Sequence, residues 1–172
     1  MKKIIYIAAF LMTTGMAMAQ NFSALDNLKN TSETVVTDEM FALIANVDID
    51  SDDKEFNEIK DIIDNLKELR IYATDNLTSA ARLNSFANKY ISTNKLVKLM
   101  HVKEDGQMFS FHMRKGSNDK KVSNLVMLIN GDGNEKDTVF LIISGDIDLN
   151  QISKLTKMMN VPGQKQIENA TN

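Results

Sequence analysis

The residue types best suited to chemistry begin with an acidic run of six residues that starts at Asp48. Asp48, Asp50 and Asp52 alternate along this run, and carboxylate oxygens are the ligands that Ca²⁺ prefers. An EF-hand loop starting at Asp48 requires glycine at its sixth position and glutamate at its twelfth, but these positions hold Asp53 and Ile59. We therefore interpret the run as a solvated loop whose last acids favour the positive end of the next helix, with weak metal binding as the alternative.

Two further pairs of titratable residues have spacings that suit acid–base or metal chemistry. Asp146 and Asp148 lie two residues apart, and paired carboxylates catalyse hydrolysis when they face each other in a cleft. Asp148 is also a good helix N-cap with Gln151 as its capping-box partner, which favours a structural role. His101 and His112 are the only histidines. One interpretation is that they form a metal site or a proton-transfer pair. The interpretation that we favour is that they are two surface side chains without a shared role.

Several classes of chemistry are excluded by the sequence. The chain has no cysteine, so thiol catalysis, thiolate metal sites and disulfide bonds are impossible. No Gly-x-Ser-x-Gly elbow and no glycine-rich phosphate loop occur, and we expect no cofactor. The net charge of −3 argues against nucleic acid, whose phosphates favour clustered lysine and arginine.

The first 19 residues have the three-part pattern of a secretory signal peptide. Lys2 and Lys3 precede an apolar stretch over 4–11, and Ala17 and Ala19 flank the predicted cleavage site before Gln20. Retention as a membrane anchor is the alternative, but the stretch is short for a span of about twenty residues. We therefore expect a periplasmic or secreted protein with no stable membrane insertion after cleavage, and not a lipoprotein because no cysteine follows the leader.

The elements that position these residues alternate in type along the first half of the chain. Phe22, Leu25 and Leu28 predict a short N-terminal helix. The next predicted elements are a strand over 32–37, a helix over about 38–47, a helix over about 54–66, a strand over 69–74 and a helix over about 77–91. The acidic run therefore joins two helices.

A change to a two-residue period at about Lys95 predicts a hairpin of strands over 96–103 and 107–114. Asp105 and Gly106 suit a two-residue turn because both tolerate positive φ. The resulting register gives one apolar face, with Val102 opposite Phe109 and Met100 opposite Phe111, and one mostly polar face, with His101 opposite Ser110 and Leu99 opposite His112.

Two more strands, over 122–130 and 138–144, have apolar runs without alternation, which predicts central positions in the sheet. A last helix is expected from Asp148, followed by a polar, disordered tail over 164–172. Residues 20–163 are thus predicted to form a single α+β domain. Its mainly antiparallel sheet has about five to six strands, with helices packed on one face.

The mature chain resembles a family of exported Bacteroidota proteins known as domain of unknown function 4252 (DUF4252). The resemblance rests on four stretches of the sequence. They are a short strand leading into residues 38–44, the helix-to-strand passage over 62–72, the paired strands of which the second covers 108–114, and the closing segment over 142–148. It implies a small envelope protein of unassigned activity and carries over no functional residues. Many members are lipoproteins, and this chain departs from them by lacking the cysteine.

These observations predict an exported accessory module that binds a protein or peptide and is not an enzyme. An antiparallel sheet offers an edge that accepts a partner strand, and no catalytic signature accompanies it. The alternative is a metal-dependent or acid–base hydrolase that uses the run beginning at Asp48, the pair Asp146 and Asp148, or the pair His101 and His112. Convergence of these side chains in one pocket distinguishes the two hypotheses.

Overall fold

The computed structural model describes residues 22–46, 60, 62–104, 106–116, 118, 121–131 and 137–148. The predicted leader, the acidic run beginning at Asp48, the predicted last helix and the polar tail lie outside these residues. Where residues 60–63 are described they are helical, and a turn at Asp64 and Asn65 follows.

Six strands form one sheet in which every neighbouring pair is antiparallel. The strands are β1 (Ser32–Thr37), β2 (Leu66–Thr74), β3 (Val97–Glu104), β4 (Gln107–Lys115), β5 (Lys121–Asn130) and β6 (Thr138–Asp148). Their order across the sheet is β1-β2-β6-β5-β4-β3, which makes β1 and β3 the two edges. The predicted α+β class is confirmed, and the apolar runs of β5 and β6 lie centrally, as their lack of alternation predicts.

Helices flank both faces of the sheet, whereas the sequence analysis placed them on one face. Helix α1 (Asp38–Ala45) packs on the first face through Phe41 and Ala45, together with Ile62 and Ile63. Helix α2 (Leu77–Thr93) packs on the second face through residues that include Leu83, Ala87 and Tyr90. The reason is that β5 and β6 are apolar on both faces, so both faces must be covered. Neither helix is long and apolar enough to cross a membrane, and no other helix among the described residues is.

Two strands, β2 and β6, extend several residues beyond their predicted bounds. β2 begins at Leu66, a residue that the helical pattern assigned to the preceding helix. β6 continues through Gly145 to Asp148, because Gly145 adopts a φ of 153° and lies directly against the backbone of Asn65. The amide of Asp146 donates a hydrogen bond to the carbonyl of Asn65 at 2.9 Å, which ties this end of β6 to the turn before β2. Asp148 is therefore the last residue of a strand.

The predicted hairpin of β3 and β4 is confirmed from its turn outward, with Gly106 at a φ of 81° and Glu104 opposite Gln107. The register matches the prediction as far as Met100 opposite Phe111 and then shifts between Lys98 and Met100. A bulge at this point places Lys98, and not Leu99, opposite His112, because two residues of β3 there oppose one of β4. The alternation of residue types does not reveal the extra residue.

Candidate protein-docking site

The predicted acidic and histidine sites do not converge on one place in the described residues. Asp48, Asp50, Asp52 and Asp53 lie outside the described residues, so their arrangement stays a prediction. Within the part of the chain that is described, no group of three or more histidine, aspartate or glutamate side chains is close enough to hold a metal ion.

The second acidic pair lies along β6 next to a lysine of β5. The carboxylate of Asp146 is 3.6 Å from the ammonium of Lys121, and this lysine also donates a hydrogen bond to the carbonyl of Asp146 at 3.3 Å. Asp148 lies opposite Lys121 in the register of the two strands. The pair thus has a nearby cation and belongs to the ordinary pairing of β5 with β6.

The two histidines share one face of the hairpin but differ in environment. His101 is exposed, whereas His112 retains only 7% of its accessible surface, so the prediction of two surface histidines is wrong for His112. Burial, with Lys98 as a second cause, lowers the pKa of His112 and keeps the ring neutral near pH 7. His112 Nδ1 has no hydrogen-bond partner among the described residues. A buried neutral ring opposite a lysine does not form the predicted pair with an exposed one.

A buried polar contact that the sequence analysis missed lies beneath α2. Asn124 Nδ2 donates a hydrogen bond to the hydroxyl oxygen of Tyr90 at 3.0 Å, and both side chains are buried. Burial raises the pKa of Tyr90, so its hydroxyl keeps its proton at neutral pH. The contact anchors α2 to β5 and supplies no ionised base or nucleophile.

The edge strands provide a different kind of site, because an edge presents unpaired backbone groups. β1 pairs with β2 over all six of its residues, from Ser32 opposite Ala73 to Thr37 opposite Glu68, with no shift of register. On its outer side, no described segment pairs with it. Val35 is 39% exposed, and Glu33 is the only charged residue of the strand. Within the described part of the chain, β1 is therefore a regular edge strand whose outer side is unpaired.

Helix α1 leaves part of its apolar surface uncovered. Met40, Leu43 and Ile44 are 50%, 66% and 40% exposed, although Phe41 and Ala45 on the same helix are buried. The sequence carries this signal, because six apolar residues in an eight-residue helix exceed one face. The pattern alone does not show which of them pack against the sheet.

The lining of a surface pocket of about 360 Å³ shows how α1 is rotated about its axis. Its lining includes Asp38 and Ala42 from the helix and Ile63 and Leu66 from the segment that leads into β2. At 100° per residue, Met40 and Ile44 lie on the flank opposite Asp38 and Ala42. The flank with Met40 and Ile44 therefore points away from Ile63 and Leu66. Helix α1 follows β1 directly and packs on β1 and β2, so its exposed apolar side chains belong to this end of the sheet.

The pocket itself is rimmed by three carboxylates, from Asp38, Glu39 and Asp64. Asp38 and Glu39 begin α1, where negative charge is favoured by the helix dipole. A hydrogen bond from the Thr37 hydroxyl is the main cause that lowers the pKa of Glu39. Asp38 and Glu39 are therefore explained by their role at the start of the helix, and no bound ligand is needed to account for them.

On the opposite face of the same edge, a polar network joins β1 to β2. Arg70 binds both carboxylate oxygens of Glu68, at 2.7 Å and 3.1 Å, and its guanidinium lies 4.4 Å from the centre of the Phe22 ring. The hydrogen bond to Glu68 is the main cause that raises the pKa of Arg70. The hydroxyl of Tyr72 donates a hydrogen bond to Glu33 Oε1 at 2.8 Å, and burial raises the pKa of Tyr72 to about 12. Arg70 also lies 3.8 Å from Glu33, so one arginine serves two carboxylates.

Comparison with known proteins identifies a family and nothing more specific. A family model described as "Domain of unknown function (DUF4252)" matches residues 22–155. No curated protein and no solved structure matches the chain. The matched region includes all six strands and both helices described above.

Proposed function

From the premise that this chain belongs to the DUF4252 family, whose model assigns no activity, we propose that the protein is a non-enzymatic docking module. Its free edge strand β1 accepts an extended segment of another protein as a seventh strand of the sheet. We further propose that this happens in the periplasm or outside the cell, after removal of the leader predicted over residues 1–19.

The observation that carries this proposal is the coincidence of an open edge with an uncovered apolar flank. Added strands gain affinity from main-chain hydrogen bonds and specificity from alternate side chains. In this proposal, the partner's side chains on the α1 side of an added strand lie beside Met40 and Ile44, which are 50% and 40% exposed, respectively. Covering such side chains stabilises a complex by about 25 cal/mol per Å² of apolar surface removed from water. We propose that the edge and the flank form one surface.

Charge supports a different protein, and not a second copy, as the occupant. The negative charge of this edge comes from Glu33 on β1. A second copy would bring another β1, which contains no cation. A partner segment with basic and apolar residues is complementary to the surface, whereas a second copy is not.

A neutral strand peptide tests the proposal. The probe is Val-Thr-Val-Thr-Val-Thr-Val with blocked ends and a fluorescent label, titrated with the full mature chain by anisotropy. Ile44→Asp places a charge on the flank beside the edge and should weaken binding about fivefold or more, because it removes roughly 1 kcal/mol of apolar contact. Ala42→Asp places the same charge on the pocket flank of α1 and serves as the matched control.

We expect Ala42→Asp to bind within about twofold of the wild type, since it leaves the edge unchanged. Thermal unfolding of both variants checks that α1 stays folded. Saturable binding that Ile44→Asp alone impairs supports docking at the edge. An absence of binding, or equal losses in the two folded variants, would rule this function out.

A further inference from the structure

We infer that the partner strand carries lysine or arginine on the side chains that face the α2 side of the sheet and apolar residues on those that face α1. This inference rests on the proposed function and adds the chemistry of the partner. It follows from the different surroundings of the two faces of β1.

The α2 side of the edge carries one negative charge that its neighbours leave uncompensated. Glu33, Val35 and Thr37 share this face because they lie opposite Tyr72, Arg70 and Glu68. The guanidinium of Arg70 is already held by both oxygens of Glu68, at 2.7 Å and 3.1 Å. Two carboxylates and one guanidinium thus leave a net charge of about −1, because Tyr72, with its raised pKa, is neutral.

The geometry of Glu33 leaves this charge available to a partner. Glu33 Oε1 accepts a hydrogen bond from the Tyr72 hydroxyl at 2.8 Å, which holds the carboxylate on the α2 side of the sheet. The side chain is 39% exposed, and the nearest arginine nitrogen is 3.8 Å away, beyond ordinary hydrogen-bond length. A cation on an adjacent strand would lie directly opposite or diagonal to Glu33, the positions at which cross-strand pairs interact.

The α1 side of the edge favours apolar residues. Val36 packs against the core on the first face of the sheet, which α1 covers, and Thr34 and Ser32 lie on the same face opposite Ile71 and Ala73. An added strand would place its residues on this face next to Val36 and beside the uncovered flank of α1. The short hydroxyl side chains of Ser32 and Thr34 leave space for larger apolar residues from the partner.

The two faces together define a strand in which basic and apolar residues alternate. A segment with acidic residues at the same positions would face Glu33 and be repelled, although it could make the same main-chain hydrogen bonds. The preference for basic over acidic segments therefore separates this inference from strand addition in general.

A matched set of peptides tests the inference on the full mature chain. The probes are Val-Lys-Val-Lys-Val-Lys-Val, its glutamate counterpart and the neutral threonine peptide, all with blocked ends. We expect the lysine peptide to bind about fivefold tighter than the glutamate peptide in low salt, since exchanging attraction for repulsion at one cross-strand pair changes the free energy by roughly 1 kcal/mol. The ratio should fall as salt is raised.

Glu33→Gln removes the charge and keeps the acceptor for Tyr72, so it should bring the two charged peptides to within about twofold of each other. Asp146→Asn removes an exposed carboxylate from β6 and should leave the fivefold preference in place, which controls for net charge. Equal binding of the lysine and glutamate peptides to the wild type would overturn the inference about the partner's charge. It would leave the proposed addition of a strand to β1 intact. Failure of all three peptides to bind would overturn the proposed function as well. Sedimentation that shows a concentration-dependent dimer blocking the peptides would identify a second copy as the occupant and contradict both.

Discussion

The two edge strands of the sheet, β1 and β3, meet solvent in different ways. β3 has a bulge between Lys98 and Met100, and its lysines at 98 and 103 are exposed. β1 has a continuous register and no lysine, and the helix that follows it exposes apolar side chains. Bulges and edge lysines are the usual means by which proteins prevent an edge from pairing with another chain. One edge of this sheet has that protection and the other lacks it.

Exposed apolar side chains alone do not separate the two edges. Val97 and Leu99 on β3 are 61% and 44% exposed, as much as Val35 on β1 at 39%. The difference lies in what surrounds them, because Leu99 occupies the irregular part of its strand and Lys98 is its neighbour. An edge becomes a docking site when a regular ladder and a complementary surface coincide, and only β1 has both among the described strands.

The largest effect is expected when β1 is given the protection that β3 has. Val35→Lys places a charge that must be desolvated at the centre of the open edge, and should weaken binding of the neutral peptide about tenfold or more. Anisotropy titration measures the loss. Val97→Lys makes the same exchange at the exposed valine of β3 and should bind the peptide within about twofold of the wild type. Similar losses in both variants would show that the two edges do not differ.

A smaller effect separates the edges by pH. The pKa of His112 is lowered in the folded state by burial and, second, by Lys98 on β3, while its ordinary value is 6.5. The unfolded chain therefore binds a proton more readily, so the stability that neutral His112 contributes is complete above pH 6.5 and is lost as the pH falls through the folded-state value. Arg114 lies two residues further along the same face of β4.

Urea unfolding between pH 7.5 and 5 measures this dependence. His112→Gln should flatten the histidine part of the profile, and His101→Gln, at an exposed position, should leave it unchanged. β1 contains no histidine, so the affinity for a peptide at β1 should change far less over this pH range than the free energy of unfolding. An unchanged profile in His112→Gln would contradict the role given to the buried ring.

Much of the sheet could be predicted from the sequence because its signals are local. The turn at Gly106 and the alternation of β3 and β4 gave the hairpin register as far as Met100, and the unbroken apolar runs placed β5 and β6 in the centre. The bulge beside Lys98 was not predictable, since one inserted residue changes no local preference. The predicted strand over 138–144 stops before Gly145, but a backbone contact with Asn65, far away in sequence, keeps Gly145 inside β6.

The candidate site could be predicted only in outline. An edge that accepts a strand was expected from an antiparallel sheet, but the strand order that makes β1 an edge comes from contacts between distant segments. The apolar residues of α1 are visible in the sequence, yet the exposure of Met40 and Ile44 depends on how the helix is rotated on the sheet. The network around Glu33 joins residues up to 39 positions apart, which no local pattern records.

Hydrogen exchange at the two edges tests the central claim most directly. Amide exchange is measured for β1 and β3 in the chain without the predicted leader, alone and with saturating lysine peptide. If the peptide adds as a seventh strand, the outward-facing amides of β1 should exchange at least about tenfold more slowly, because a main-chain hydrogen bond protects them. Amides of β3 should keep their rates. Protection of β3 in place of β1, or binding that slows no amide at either edge, would contradict the account.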